Sequence, residues 1–415
     1  MASRKRRYYY GWNIVVVCVL IQLAAFGLTL NCYSLFVGDW SIELHTPVSQ
    51  LALGVTLLGL VGSGFSVLVG IAMDKFSIRT IFGFGLTGMA LAHVGIGFAT
   101  AGWQIVAIYA VILPVTMTFT SVVPAQALVA RWFVHRRATA MGVTALGVTL
   151  AGVIFPPIIA PLLPAIGWRE IWWGFAAIIG LATPLVLLIL RDRPTEREGL
   201  DYITSQAHEP TKSVMSLKAV LVRPRFWAIL GVFLGVYLII MTVGLDLGPI
   251  ALSRGIRLQT VGFLLPIFAF SEMVGTLVCG LLADRLGNRI PFAAVALAAA
   301  LGAALLSQAH STGALVAALV LIGLSNGCWT MLSSTTAAEF GQRNFARAYG
   351  VLCAFTPIGM MALPVVAYAY EHTGNYATSL LVLAGVASVG ALTAFFGLRD
   401  RLLVEATETS SKSVR

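Results

Sequence analysis

Apolar residues run through this chain in stretches of about 20 or more, each long enough to cross a ~30 Å hydrocarbon layer as a helix. Twelve spans are expected, at 12–38, 47–72, 80–100, 104–130, 138–165, 171–190, 226–252, 258–283, 290–309, 314–338, 347–370 and 375–398. The runs are continuous rather than alternating, so helices and not barrel strands are the spanning elements. One of them, "GVTALGVTLAGVIFPP" (Gly142 to Pro157), is glycine-spaced and proline-ended, which predicts close packing and a kink. Polar residues collect between the runs, most of all over Arg191 to Arg225, a stretch of mixed charge with Pro194, Pro210 and Pro224. That stretch reads as a linker, and its end, "SVMSLKAVLV", is expected to form a short helix on the membrane surface.

Composition agrees with the pattern. The 415 residues are 58% hydrophobic and 11% charged, with mean hydropathy +0.89, which excludes an ordinary soluble domain. The net charge of +10 would suit nucleic acid, but its placement argues otherwise. Of the 27 Lys and Arg, all but Arg169, Arg254 and Arg257 fall in the two tails and in the gaps after spans 2, 4, 6, 8 and 10. Positive charge concentrated on one side makes that side cytoplasmic. The expectation is therefore a multi-pass protein of the cell (inner) membrane with both termini inside and the lipid bilayer, not nucleic acid, as its surroundings. "RKRR" (Arg4 to Arg7) is read as a topology signal, with anionic headgroup contact as the lesser alternative. The apolar run after it is about 27 residues long without a small-residue cleavage site, so it is expected to remain as span 1.

Cys18, Cys32, Cys279, Cys328 and Cys353 all lie inside spans without paired spacing and are read as packing residues. "GFGLTG" (Gly83 to Gly88) fits a dinucleotide-loop pattern but sits within a span with no strand before it, so that reading fails. No metal or other cofactor, no catalytic cluster and no protein partner is implied.

The chain repeats itself. "GIAMDKFSIR" (Gly70 to Arg79) after span 2 and "GLLADRLGNR" (Gly280 to Arg289) after span 8 share G-x-x-x-D-[KR]-x-x-x-R, 210 residues apart. "ATAMGV" (Ala138 to Val143) and "ARAYGV" (Ala346 to Val351) echo each other at 208 residues, each followed by a proline, Pro156 and Pro364. Such doubling implies two related halves. The expected fold is an all-α membrane protein of twelve transmembrane helices in two pseudo-symmetric six-helix bundles. Its parts would be 1–190, a cytoplasmic linker 191–225, 226–400 and a cytoplasmic tail 401–415.

The doubled loop in a six-plus-six arrangement resembles the major facilitator superfamily over the whole chain. "YYYGWNIVV", "RWFVHRRATAMG", "GWRE", "RDRPTEREGL" and "RPRFW" resemble its monocarboxylate transporter-like and oxalate:formate antiporter-like branch. The loop has its own physical rationale. Gly70 and Gly280 permit close helix approach. Asp74 and Asp284 stand where a carboxylate caps a neighbouring helix N-terminus. Lys75, Arg79, Arg285 and Arg289 could pair across the cytoplasmic face. The resemblance implies a cytoplasmic gate here that latches an outward-open state; topology-setting charge alone is the alternative. The first copy departs from the second, with Ser77 where Gly287 stands.

Once the loops are assigned, one acid remains deep in a span. Glu272 lies 12 residues before Asp284, about 18 Å from the cytoplasmic edge at ~1.5 Å per residue. It is read as a proton-coupling residue, with a hydrogen-bonded structural Glu as the alternative. The branch places an arginine one turn after this acid to hold a substrate carboxylate, but Thr276 occupies that position, and span 4 lacks the branch's membrane arginine. Without them, a carboxylate would depend on helix N-termini, hydroxyls and amides, or on Arg254 and Arg257. The resemblance makes spans 1, 4, 7, 8, 10 and 11 central. Substrate-binding candidates are therefore Tyr237, Asn326 and Trp329 first, then Thr276, Gln22, Asn31, Tyr33 and Thr120, with Asp246 in the outer vestibule. Thr116 and Gln126 belong to the same set, and each of these polar groups could instead join helices. His93, on a peripheral span, is read as packing.

The expected function is secondary active transport of a small organic solute, a (mono)carboxylate, by alternating access with proton symport. Proton-antiport efflux of a neutral or cationic compound is the first alternative. A transport-inactive membrane receptor is the remote one.

Overall fold

The computed structural model describes residues 9–120, 122–133, 136–192, 215–252, 258–309, 311–360 and 362–398. Every regular element among the described residues is helical. Inside an apolar layer only internal hydrogen bonding satisfies the backbone, and these sequences have the length and hydropathy to require it.

In the first half, α1 comprises Gly11–Phe26 and Tyr33–Glu43 joined through a π turn, Gly27–Asn31. It is followed by α2 (Val48–Lys75) and α3 (Ile78–Gly97). Next, α4 runs through Gly102–Ala107, a second π turn at Ile108–Ile112, Leu113–Thr120 and Val122–Trp132. Then come α5 (Arg137–Ile166) and α6 (Trp168–Ile189). The expected surface helix is present at Leu217–Leu221, where the Ser216 hydroxyl accepts from the Ala219 N–H at 3.2 Å.

The second half begins with α7 (Pro224–Leu252), α8 (Leu258–Leu286) and α9 (Arg289–Gln308). The tenth and eleventh spans are hydrogen-bonded into one run, Cys328–Ala354, that Gly341 divides with φ at +73°. We take α10 as Thr312–Leu324, a 3₁₀ turn at Ser325–Gly327, and 328–340. Beyond Gly341, α11 is 342–354, Thr356–Met360 and Ala362–Thr373, and α12 is Ala377–Gly397. The two halves pack alike. α3 lies against α4 and α6 in the first; α9 lies against α10 and α12 in the second.

The branch-like motifs assemble into braces. Tyr9 donates to the Trp132 carbonyl and Tyr10 to that of Ile189, Trp12 meets Phe133 edge-on, and the Arg191 guanidinium covers Tyr10. At the opposite end of this half, Gly167 turns the chain with φ at +85°. The following Trp168 and Arg169 both donate to the Glu43 carboxylate, and Arg169 also reaches the Ala99 carbonyl at 3.1 Å. Outside the apolar layer, these donors hold the Glu43 carboxyl below its ordinary range: the Arg169 hydrogen bond first, then that of Trp168. In the second half Arg225 pairs with Glu339.

Candidate functional site

Two seams join the bundles at the end that carries the basic loops, and the repeated motifs build both. On one, α2 meets α11. A β-carbon on Gly70 would stand 2.5 Å from the Ala346 carbonyl oxygen, and Gly350 is pressed onto the Ser66 carbonyl. The Ser66 hydroxyl donates to the Gly350 carbonyl at 2.6 Å, Ser63 and Thr356 share a hydrogen bond at 3.1 Å, and Asp74 pairs with Arg347. On the other, α8 meets α5. A β-carbon on Gly280 would stand 2.7 Å from the Ala138 carbonyl oxygen, and one on Gly142 2.9 Å from that of Thr276. Here Asp284 accepts from the Ala138 and Thr139 N–H groups at 3.0 and 2.8 Å, at the N-terminus of α5. Each motif copy thus packs on the echo from the opposite half.

The other loop residues are placed differently. Arg79 donates to the Leu190 carbonyl, within its own half, and Arg289 lies over Phe395 at 4.3 Å, within the other. Lys75 and Arg285 are exposed. Among the described residues Arg347 is a cation that does cross between the bundles, to Asp74, and it was not among the loop cations named from the motif. The turn geometries of the two copies differ as their residues do. Gly287 adopts a left-handed φ of +77°, whereas Ser77 stays extended and caps α3 by accepting from the Thr80 N–H at 3.2 Å.

Within the second bundle, α8 and α10 approach through Gly275, Gly323 and Gly327. A β-carbon on Gly323 would meet Ser271 at 2.6 Å and one on Gly327 the Gly275 carbonyl at 2.8 Å. The 3₁₀ turn lies at this contact and presents Asn326, whose amide donates to the Thr276 hydroxyl at 3.5 Å. Thr330 donates to the Thr276 carbonyl at 3.2 Å. Glu272, half-buried, is one turn before Thr276 on the same face. Trp329 meets Tyr237 at 5.4 Å and Phe233 at 4.8 Å between ring centroids, both edge-on, and the Tyr237 ring lies against Gly359 of α11. Two clusters result: Thr276, Asn326 and Thr330 are joined by hydrogen bonds, with Glu272 one turn along α8, and Trp329, three residues after Asn326, is joined to Tyr237 and Phe233 by ring contacts.

In the first bundle, Gln22 donates to the Thr144 carbonyl of α5 at 3.0 Å, and its own carbonyl is buried without a protein partner. Gln126 does the same toward Met141, at 3.1 Å. Asn31 lies beside Gly152 of α5. Tyr33 packs edge-on against Tyr109 and Trp40, at 5.2 and 5.5 Å, and its hydroxyl is buried without a protein partner. Thr120 and Thr116 do not join this group. Their methyls press on Gly85 and Gly88 of α3, and their hydroxyls donate within α4. The side chain of Asp246, together with Arg254 and Arg257, lies outside the described residues.

Sequence reasoning missed Phe233, Thr330 and Gly359, because a buried aromatic or hydroxyl in an apolar run carries no local signal. It also missed who touches the glycine-spaced run of α5. That run connects the two groups: Gly142 sits on Thr276 and Thr330, Gly147 on Gln22, and Gly152 beside Asn31.

Two helical bundles, joined at one end by packed glycines and carrying polar residues on the helices that face each other, have the architecture of a membrane carrier. The Major Facilitator Superfamily model matches residues 17–249 and 237–413, and the chain belongs to that family of transporters. It is 27% identical over 349 residues to the agnestins efflux protein AgnL12 of Paecilomyces divaricatus, covering 83% of this chain and 77% of that protein. The fold is similar to that of the human organic anion transporter MFSD10 (TETRAN), with TM-score 0.68, 17% identity, and 93% and 99% of the two chains covered. It is also similar to the E. coli fucose:proton symporter FucP, with TM-score 0.72, 17% identity, and 94% and 100% covered.

Proposed function

We propose that this transporter moves a small aromatic organic solute, uncharged or cationic, against a proton gradient by alternating access across the cell membrane. Glu272 is its proton-coupling residue, and Tyr237, Asn326 and Trp329 contact the solute. The observation that carries the reading is the chemistry brought by the packed helices α7, α8 and α10: the acid Glu272, the Asn326 amide on Thr276 and the Trp329–Tyr237 ring pair, with no cation among them. Every described Lys and Arg sits in a loop or within the two turns next to a helix end or to the Gly341 break. An acid and aromatic faces carried on helices that pack together suit a cation or a polarised neutral ring, and disfavour an anion. The similarity to an efflux protein supports the outward direction.

The basic loops are on the cytoplasmic side in this reading, and the two seams are the inner gate. Solute would enter or leave on the far side while Asp74, Asp284 and the seam glycines hold the inner ends together. Protonation of Glu272 alternates with solute loading, so that one leaves as the other binds.

Organic carboxylate symport is the second reading. The assembled "YYYGW", "GWRE" and "RPRFW" braces favour it, since they resemble the carboxylate-transporting branch. The two separate in proteoliposomes with an imposed pH gradient. Benzylamine, phenol and benzoate serve as cationic, neutral and anionic probes. Antiport predicts that the amine or the phenol moves opposite to protons and benzoate does not. Benzoate accumulation on the alkaline side, above that of protein-free vesicles, overturns the first reading in favour of the second.

A further inference from the structure

A fully buried histidine on a peripheral helix is ordinarily a packing residue, and the sequence gives no other reason to single out His93. Its contacts do. The Nδ1 atom is 2.6 Å from the Met89 carbonyl oxygen, which can only accept, so Nδ1 carries the hydrogen. Nε2 is then the acceptor, and it faces the Thr29 hydroxyl at 3.4 Å. The Thr29 carbonyl in turn accepts from the Tyr109 hydroxyl at 2.9 Å. His93, Thr29 and Tyr109 are all at 0% exposure.

Thr29 lies in the π turn of α1, where the Cys32 N–H reaches back five residues to the Gly27 carbonyl at 3.1 Å. A π turn inserts an extra residue and disturbs the regular backbone ladder, and in an apolar layer freed carbonyls must find other donors. Tyr109 supplies one, and it comes from the matching π turn of α4, Ile108–Ile112. The two wide turns therefore face each other, and His93 of α3 buttresses the contact from the third side.

The insertion has a consequence for the site. One residue rotates everything beyond it by about 100°. Asn31, the last residue of the turn, stands against α5, and just beyond it is Tyr33, whose buried hydroxyl lacks a protein partner. We propose that His93, Thr29 and Tyr109 are positioning residues that hold the α1 π turn and thereby aim Asn31 and Tyr33 at the solute. This rests on the transport reading above for what those two residues touch.

The test is a cysteine-accessibility scan of positions 33–43 in proteoliposomes with a membrane-impermeant thiol reagent. The five native cysteines are buried and need not be removed. Tyr109→Phe and Thr29→Val each delete one hydroxyl. With the bridge broken, the turn relaxes to α-helix and the pattern of reactive positions advances by one residue. Thr29→Ser keeps the parent pattern. Both deletion variants folding, by gel filtration and melting, with the parent pattern unchanged overturns the proposal. The scan reads the turn without any solute, so its failure is distinct from a failed flux assay.

Discussion

Glu272 stands where an ionised side chain costs about 2.5–3.5 kcal/mol on insertion scales. No salt bridge offsets it among the described residues. Glu272→Gln keeps the size and the hydrogen-bonding capacity of the neutral acid but cannot carry a proton. The variant is expected to fold, to exchange solute across a membrane at equal pH, and to lose pH-driven accumulation by tenfold or more. Flux in proteoliposomes measures both, and retained pH-driven accumulation would make Glu272 structural. Glu43 gives a pH dependence of a different kind. Its carboxyl is held below the ordinary value of 4.5 by Arg169 and then by Trp168. A group whose folded-state value is lowered contributes stability above its unfolded value and loses it as pH falls through the folded one. The pair is partly exposed, so the effect is below about 1 kcal/mol. The melting difference between the parent and Glu43→Gln should therefore be constant above about pH 5 and vanish in more acidic buffer. A difference that grows on acidification would contradict the assignment.

At the scale of elements, the twelve spans and the repeats were legible because a lipid-crossing helix is written in length and hydropathy alone. The faces were not. Lipid and bundle interior are equally apolar, so an apolar run does not reveal which side is packed. Thr120 was therefore a site candidate on span membership, whereas it lies on the α3–α4 contact. Interruptions were equally silent: nothing in "FGLTLN" distinguishes a π turn from an α turn. The α8–α10 contact shows what packing adds. A β-carbon on Gly275 would collide with the Leu324 carbonyl, which is backbone and cannot swing aside, while one on Gly313, also on α10, would meet nothing within 4 Å. Overpacking of this kind costs about 1–3 kcal/mol. Gly275→Ala should lower the melting temperature in detergent by several degrees, whereas Gly313→Ala should leave it unchanged or raise it slightly through helix propensity. Equal shifts would mean that the contact is looser than the geometry shows.

For the molecule as a whole, the two seams are related by sequence repetition but are held by different forces. Asp284 satisfies two N–H groups at the start of α5, an interaction between a carboxylate and a fixed backbone. Asp74 instead pairs with a side chain, Arg347, at a partly exposed site. Loss of a carboxylate cap costs about 1–2 kcal/mol, a factor of roughly 5–30 in a two-state population. Loss of an accessible ion pair costs about 1 kcal/mol or less and is screened by salt. Spin labels at Thr80 and Ile290, exposed first-turn positions of α3 and α9 related by the repeat, report the separation of the bundles at the basic end. Asp284→Ala should enlarge the separated population by that larger factor, at low and high salt alike. Asp74→Ala should enlarge it less, and added salt should bring the parent toward the Asp74→Ala distribution without mimicking Asp284→Ala. If both variants shift the distances equally and with the same salt dependence, the repeat symmetry extends to the energetics and the distinction between the seams is wrong.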